Sequence, residues 1–437
     1  VEPAEGKTRF HDLDLPVEIL HAIADLGFQY ATPIQAQILP AILTGRDGLG
    51  QAQTGTGKTA AFLCALFTRL LRHPPHTHRR PGLPRALILA PTRELAVQIE
   101  LEAQEIGKYC GLTSLAVFGG QDYERQQRTL NTRIVDVVAA TPGRLLDFKN
   151  SRDIDLSAVE VLVIDEADRM LDMGFIPDVR RIVRFTPPKE RRQTLFFSAT
   201  FSPEILRLGD DWTTDPARVH IASEKPAAET VDQAIYIAAD REKLAIIYHV
   251  LRHENPERVL IFVNRRDHAD RLCEALERVG VRSAILSGNV PQNKRMRTLE
   301  EFREGTLKVV VATDVAGRGL HIEGVSHVIN YNLPEDPEDY VHRIGRTGRA
   351  GTTGKSISFA SEMDAFAIPG IEKYLGRALT CTHPEEAWLT LPEELEAALR
   401  ESGHSGGRHG LGRSRSPRPA GGGGFRRGPS RGGPRRR

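Results

Sequence analysis

Few folds accommodate the stretch Ala52-Gln53-Thr54-Gly55-Thr56-Gly57-Lys58-Thr59 followed at once by the helical run Ala60-Ala61-Phe62-Leu63-Cys64-Ala65-Leu66-Phe67. Gly55 and Gly57 reach backbone angles closed to other residues, so the loop can turn its N–H groups inward around phosphate oxygens. Lys58 offers a positive charge to β/γ-phosphates, and the Thr59 hydroxyl is placed for Mg²⁺. The helix behind them points its positive dipole end at the same anion. Residues 52–59 therefore read as a phosphate-binding loop of the Walker A kind, every one a candidate for nucleotide contact. Ala52 stands where the first Gly of G-x4-G-K-[ST] is usual.

A second motif supports the first. Val161-Leu162-Val163-Ile164 is a short, β-branched apolar run of the kind that forms a strand buried on both faces. Asp165-Glu166-Ala167-Asp168 follows it, and a carboxylate at the C-terminal end of such a strand lies where open α/β sheets bind ligands. Asp165 is the candidate Mg²⁺ ligand. Glu166 is the candidate base that orients or deprotonates an attacking water.

These residues, with those below, resemble the DEAD-box family of ATP-dependent RNA helicases, which is named for that tetrapeptide; the resemblance covers roughly residues 8–378. It implies an α/β fold of two tandem RecA-like parallel-sheet domains. The expected division is an ATP-binding domain at 1–222 (Q motif 8–36, Walker A 52–59, DEAD 165–168) and a linker at 223–229. A second helicase domain at 230–378, a C-terminal extension at 379–401 and a tail at 402–437 follow. The residues themselves support two sheets. Strand-like runs include Ala86–Ala90 and Gln193–Phe197, with two more ending near Phe118 and Ala140. They resume at Arg258–Val263, Ser283–Leu286, Lys308–Val311, Val325–Ile329 and Ser356–Phe359, mostly separated by helical stretches. The second half has no phosphate loop and reads as a degenerate copy of the first architecture.

Ahead of the loop, Phe10, Gly27-Phe28 and Thr32-Pro33-Ile34-Gln35 resemble the family's Q motif. A Gln amide carries a donor and an acceptor, so Gln35 can read N6 and N7 of adenine, and an aromatic such as Phe10 can stack on the base. Thr32 joins them as a candidate nucleotide contact. Pro91-Thr92-Arg93-Glu94, Gly119-Gly120 and Thr141-Pro142-Gly143-Arg144 each follow a strand-like run. Small and hydroxyl residues with exposed backbone suit sugar–phosphate contacts better than base readout. Thr92, Arg93, Gly119, Gly120, Thr141, Pro142 and Arg144 are thus candidate RNA contacts. Ser198-Ala199-Thr200 is, from the residues alone, a hydroxyl-bearing turn after a strand. By resemblance it links the nucleotide site to the strand-separating surface.

In the second half, the resemblance extends to Asn264-Arg265, Gln292 to Arg295, and Ala312-Thr313-Asp314-Val315-Ala316-Gly317-Arg318-Gly319. It implies RNA contacts at Arg265, Gln292, Arg295 and Thr313 and an ATP-ribose contact at Asp314. His321 occupies a position where most members carry Asp. His342-Arg343-Ile344-Gly345-Arg346-Thr347-Gly348-Arg349 packs cations between glycines, a pattern suited to gripping phosphate. By resemblance, Arg346 and Arg349 are arginine fingers and join Lys58, Asp165 and Glu166 as catalytic candidates.

Charge and composition bear on partners. Of a net charge of +2, the stretch after Glu401 contributes +10 through ten Arg and no acid, so residues 1–401 carry −8. A Gly-, Arg-, Pro- and Ser-rich tail of this kind is expected to be disordered and to serve as an electrostatic handle for a polyanion. The four cysteines, Cys64, Cys110, Cys273 and Cys381, form no C-x-x-C pair, which fits a reducing cytoplasm. No apolar run approaches a membrane span, and the start is no signal peptide. The chain opens on Val1 instead of Met, which suggests a preceding segment. Within the family, the Gly319-Leu320-His321-Ile322 variant, Asp339-Tyr340-Val341-His342 and the Arg-rich tail resemble the helicases of bacterial RNA degradosomes. That resemblance implies an RNase E-type endonuclease as partner; a monomer is expected. Three activities fit the motifs: an RNA-dependent ATPase that separates short duplexes, an ATP-gated RNA clamp, and, less well, a DNA translocase.

Overall fold

Successive side chains of a strand point to opposite faces, so an unbroken apolar strand requires an apolar layer on each side. Val161 and Val163 enter one core, while Leu162 and Ile164 enter the other. The computed structural model describes residues 1–53, 55–75, 79–221, 231–288, 290–314, 324–348 and 354–397. In it, β1 (Gly48–Gln51), β2 (Ala86–Leu89), β3 (Ser114–Val117), β4 (Val137–Ala140), β5 (Val161–Ile164), β6 (Gln193–Ser198) and β7 (Ala217–His220) form one sheet. Their order is β3-β4-β2-β5-β6-β1-β7, and every pairing is parallel.

A second sheet is built from β8 (Val231–Ile237), β9 (Val259–Val263), β10 (Ser283–Leu286), β11 (Val309–Thr313), β12 (His327–Asn330), β13 (Gly354–Ala360) and β14 (Cys381–Thr382). Its order, β10-β11-β9-β12-β13-β8-β14, repeats the first strand for strand, and it too is parallel throughout. The second sheet is thus a copy in topology. It also passes the boundary expected at 378: Cys381 pairs with Ile235 in β8, so the start of the expected C-terminal extension is sheet. The compact unit holding both sheets runs Val1–Leu391, and residues 393–397 beyond it make a short helical turn. The expected linker at 223–229 and tail at 402–437 lie outside the described residues.

Four strands escaped the sequence reading: β1, β7, β8 and β14. The first matters most, because the phosphate loop hangs from it. Gly48 and Gly50 give β1 little strand propensity, but the fold needs them there. A Cβ on Gly50 would stand 2.6 Å from the Phe197 ring, and one on Gly48 would stand 2.8 Å from the Ile42 side chain. The helix Pro33–Ile42 and strand β6 press on β1 so closely that only glycine fits.

Gly50→Ala should therefore destabilise the protein by about 1–3 kcal/mol, the usual cost of overpacking. Urea denaturation checks this; a variant as stable as wild type would show that Phe197 can move aside freely.

Candidate functional site

The loops at the C-terminal ends of the first sheet sort into two groups. β5, β6 and β1 are neighbours, and they lead into Asp165, Ser198-Ala199-Thr200 and the phosphate loop respectively. β3, β4 and β2 are neighbours, and they lead into Gly119-Gly120, Thr141-Pro142 and Thr92-Arg93. The nucleotide candidates and the RNA candidates thus occupy adjoining halves of one sheet edge.

In the first group, Gly55 and Gly57 have φ of 80° and 89°, and Gly57 caps the helix Lys58–Arg72. Lys58 is buried, and its Nζ donates to the Ala52 carbonyl at 2.6 Å. Thr32 Oγ1 donates to the Thr56 carbonyl (2.7 Å) and Gln35 Nε2 to the Gly57 carbonyl (3.0 Å). A side chain at Gly57 would run into the Gln35 amide. The Q motif is therefore a brace under the loop. Gln35 Oε1 also accepts from the Thr32 N–H at 2.9 Å, which closes a capping box. Each end of the amide makes one bond, which leaves one N–H and one lone pair of Gln35 for adenine. Phe10 is buried and stacked on Phe28 at 6.4 Å, and it is Phe28 that is exposed. Thr54 lies outside the described residues.

Asp165 is buried, and burial pushes its carboxyl up to about 7 despite the opposing pull of Lys58. A cation beside it would restore the ionised form. Mg²⁺ is ordinarily held by one or two carboxylates together with substrate phosphates, and Asp165 with Thr59 is a set of that size. The residues present therefore fit Mg²⁺ and a nucleotide triphosphate. Glu166 sits in the left-handed region, φ 51°, at the head of the helix Ala167–Asp172, and pairs with Arg169 at 3.3 Å. Asp168 Oδ2 accepts from the N–H groups of Ala199 and Thr200, both at 2.9 Å. The third acid of the tetrapeptide thus ties β5 to the turn after β6.

In the second group, the Arg93 guanidinium lies against Gly120, where a side chain would collide with it. Thr92 Oγ1 caps the helix Arg93–Ile106. Arg144 is packed over the rings of Tyr123 (5.3 Å) and Phe148 (5.8 Å). Arg93 and Gly120 line a cleft of about 530 Å³ whose opposite wall, from the second sheet, includes Gly288, Val290 and Gln292. Across this boundary Gln292 Nε2 donates to Glu94 (3.1 Å), and Arg295 Nε lies 2.6 Å from the same carboxylate. Both candidate RNA contacts are thus engaged on Glu94. That carboxylate in a loop suited to phosphates was a signal in the sequence: a protein cation had to neutralise it.

The second sheet repeats the sorting. Asn264-Arg265 and Gln292 come after β9 and β10, and Thr313 ends β11, the counterparts of β2, β3 and β4. Arg265 is well exposed. Reading the cations of 342–349 together as a phosphate grip needs correction for Arg343. It is almost wholly buried and clasps both oxygens of Asp314 at 2.6 Å each. Its remaining N–H groups reach the Asn332 carbonyl (2.7 Å) and Asn264 Oδ1 (2.7 Å). Desolvation explains this: a guanidinium inside the fold must meet all its donors there. Asp314, expected at the ribose, is the anion of this pair. Arg346 is also buried, three residues beyond Arg343. Arg349 and His321 lie outside the described residues.

A phosphate loop after β1, an acid pair after β5 and a second sheet of identical order without such a loop define a two-sheet P-loop protein. The DEAD/DEAH box helicase family matches residues 32–208, and the helicase conserved C-terminal domain matches 242–351. ATP-dependent RNA helicase RhlB of Pseudomonas aeruginosa is 57% identical over 384 residues, 88% of this chain and 97% of the relative. RhlB of Shewanella amazonensis is 43% identical over 414 residues, 94% of each. Among solved structures, S. cerevisiae Dbp5 bound to RNA and ADP BeF3 superposes with a TM-score of 0.76 at 31% identity, covering 90% of this chain and 99% of that one. Mss116p bound to ssRNA and AMP-PNP gives 0.77 at 27% identity, covering 92% and 87%. The chain belongs to the DEAD-box family of ATP-dependent RNA helicases. No helix among the described residues is long and apolar enough to cross a membrane.

Arg343→Met should cost up to about 3 kcal/mol, because it leaves Asp314 charged and unpaired in a partly buried site. Adding Asp314→Leu should recover a good part of that loss. Chemical denaturation of both variants checks this; a double variant no more stable than the single would show that the pair itself is not the source.

Proposed function

We propose that this chain is an RNA-dependent ATPase that uses ATP and Mg²⁺ to separate short RNA duplexes locally, and that it supports RNA degradation in the cytoplasm, as a monomer, beside an RNase E-type endonuclease. The observation that carries the reading is the sorting of loops: phosphate and water chemistry after β5, β6 and β1, strand contacts after the neighbouring three strands in each sheet. The RNA helicase names of the relatives, and the RNA-bound state of Dbp5, support it. The degradation role and the partner rest on the likeness to RhlB.

In this reading Lys58 leaves the Ala52 carbonyl and meets the β/γ-phosphates, with Thr59 and Asp165 beside it. Bound Mg²⁺ supplies neutralisation of the phosphate charge there. Thr32 and Gln35 hold the adenine side, and Phe10 supports it from behind through its stack on Phe28. Glu166 takes or orients the proton of the attacking water. Arg346 and Arg349 bring positive charge from the second sheet, and an arginine finger typically contributes about 10³–10⁵ in rate. Thr92, Arg93, Gly119, Gly120, Thr141, Pro142 and Arg144 hold one stretch of RNA; Arg265, Gln292, Arg295 and Thr313 hold the next. Each ligand bridges both sheets, so each favours closure and strengthens the other's binding. Asp168, bonded to the turn after β6, lies on the path between the two sites.

Glu166→Gln should keep ATP and RNA binding and lower RNA-stimulated turnover by about 10²–10⁴, the usual worth of a general base. Steady-state ATPase and strand-displacement assays check this; activity within a few-fold of wild type would remove Glu166 from the role. The same assays separate a helicase, which turns over many duplexes, from a clamp that hydrolyses slowly and stays bound.

Lys58→Ala should instead weaken nucleotide binding itself, by removing a charge from the phosphates, as read by titration with a fluorescent ATP analogue. Unchanged affinity would contradict the assignment. For the partner, the RNase E-type endonuclease should co-purify with the tagged helicase after RNase treatment; loss of the band would leave RNA as the only bridge.

A further inference from the structure

We propose that a groove along the outer edge of the first sheet is a second RNA-binding surface, which takes the single strand where it leaves the cleft between the two sheets. The inference rests on reading that cleft as the RNA site. The groove measures about 680 Å³ and runs beside β3, the edge strand, between the helices Arg93–Ile106 and Tyr123–Thr132. Gln121 belongs to the wall of both groove and cleft, so the two lie side by side.

Its chemistry suits a sugar–phosphate chain. Arg125, Thr129 and Arg133 line one wall at intervals of four residues, Arg133 just past the helix end, so their backbone positions span about 12 Å. Arg125 and Arg133 are exposed, and among the described residues no carboxylate pairs with either. Other cations of the first sheet's unit are already paired: Arg79 with Asp136, Arg85 with Glu160, and Lys108, on the groove's other wall, with Asp25. The far end of the groove presents the exposed side chain of Ile134, an apolar face for a base. Hydroxyl and amide groups of Thr113, Ser114 and Gln104 complete the lining.

A peptide adding to the sheet edge is the other occupant such a groove could take, and the edge itself argues against it. An added strand needs free N–H and C=O groups on the edge. The Gln126 amide already fills both bonding positions of Phe118, at 3.1 Å each. Glu100 also lines the groove, where burial pushes its carboxyl up toward the neutral form. The ladder is thus taken at its Phe118 end, while Arg125 and Arg133 stay open.

The test compares single-stranded RNA of about 6 nucleotides, enough for the cleft, with one of about 20, in the presence of a non-hydrolysable ATP analogue. Wild type should bind the longer strand roughly tenfold more tightly or better, and Arg125→Gln with Arg133→Gln should remove most of that gain while the short strand binds as before. The log–log salt slope for the long strand should fall by about 1.4, two contacts at ~0.7 each. An undiminished gain, or equal weakening for both lengths, would overturn the proposal: the first leaves the groove to another ligand, the second makes the arginines a diffuse field. A wild type that binds neither strand would overturn the cleft reading, and this one with it.

Discussion

Putting a carboxylate at the buried end of an apolar strand is costly unless something offsets the lost hydration. Asp165 is such a group. The surroundings offset only part of the cost, through Lys58 and the Glu166 N–H, and the carboxyl remains pushed up to about 7. Much of the first sheet is arranged about this point. The glycine strand β1 brings the phosphate loop in close, the Q motif braces the loop from below, and Asp168 fastens the turn after β6. A site that is electrostatically incomplete by itself is one that a cation and an anion together would complete.

The second sheet repeats the strand order and handles its buried charges differently. Arg343 meets Asp314, and the fully buried Lys243 meets Asp364 at 3.0 Å. These cations are satisfied from within. The same topology therefore carries one incompletely offset carboxylate in the first half, and in the second a buried pair that holds loops in place. Asn264, Asp314 and Asn332, which follow three adjacent strands, are all gathered on one guanidinium. That gathering fixes the base from which Arg346 projects.

Much of this was legible in the sequence, for a physical reason. Residues that form loops around phosphate, or strands buried on both faces, obey local rules of spacing and hydropathy. Thr56 to Lys58 and Val161 to Asp165 state those rules openly. What stayed hidden depends on partners distant in the chain. β1 looks unlike a strand until Phe197 and Ile42 are set against it. Arg343 looks like Arg346 until Asp314 is set against it. Gln292 and Arg295 look like free ligands until Glu94, 198 residues earlier than Gln292, comes within reach. Spacing along the chain carries no trace of such meetings.

The place of β1 between β6 and β7 has a consequence during synthesis. Gly48 must wait for Leu195, its nearest partner in the sheet, before it can form a single interstrand bond. A ribosome adding 5–20 residues per second needs roughly 7–30 s to make that stretch. Throughout, the segment bearing the phosphate loop has no sheet to join, whereas β2, β4 and β5 can begin to pair. Nucleotide can therefore stabilise the nascent chain only after β6 emerges, and the earlier interval is when a chaperone would find this glycine-rich strand unprotected.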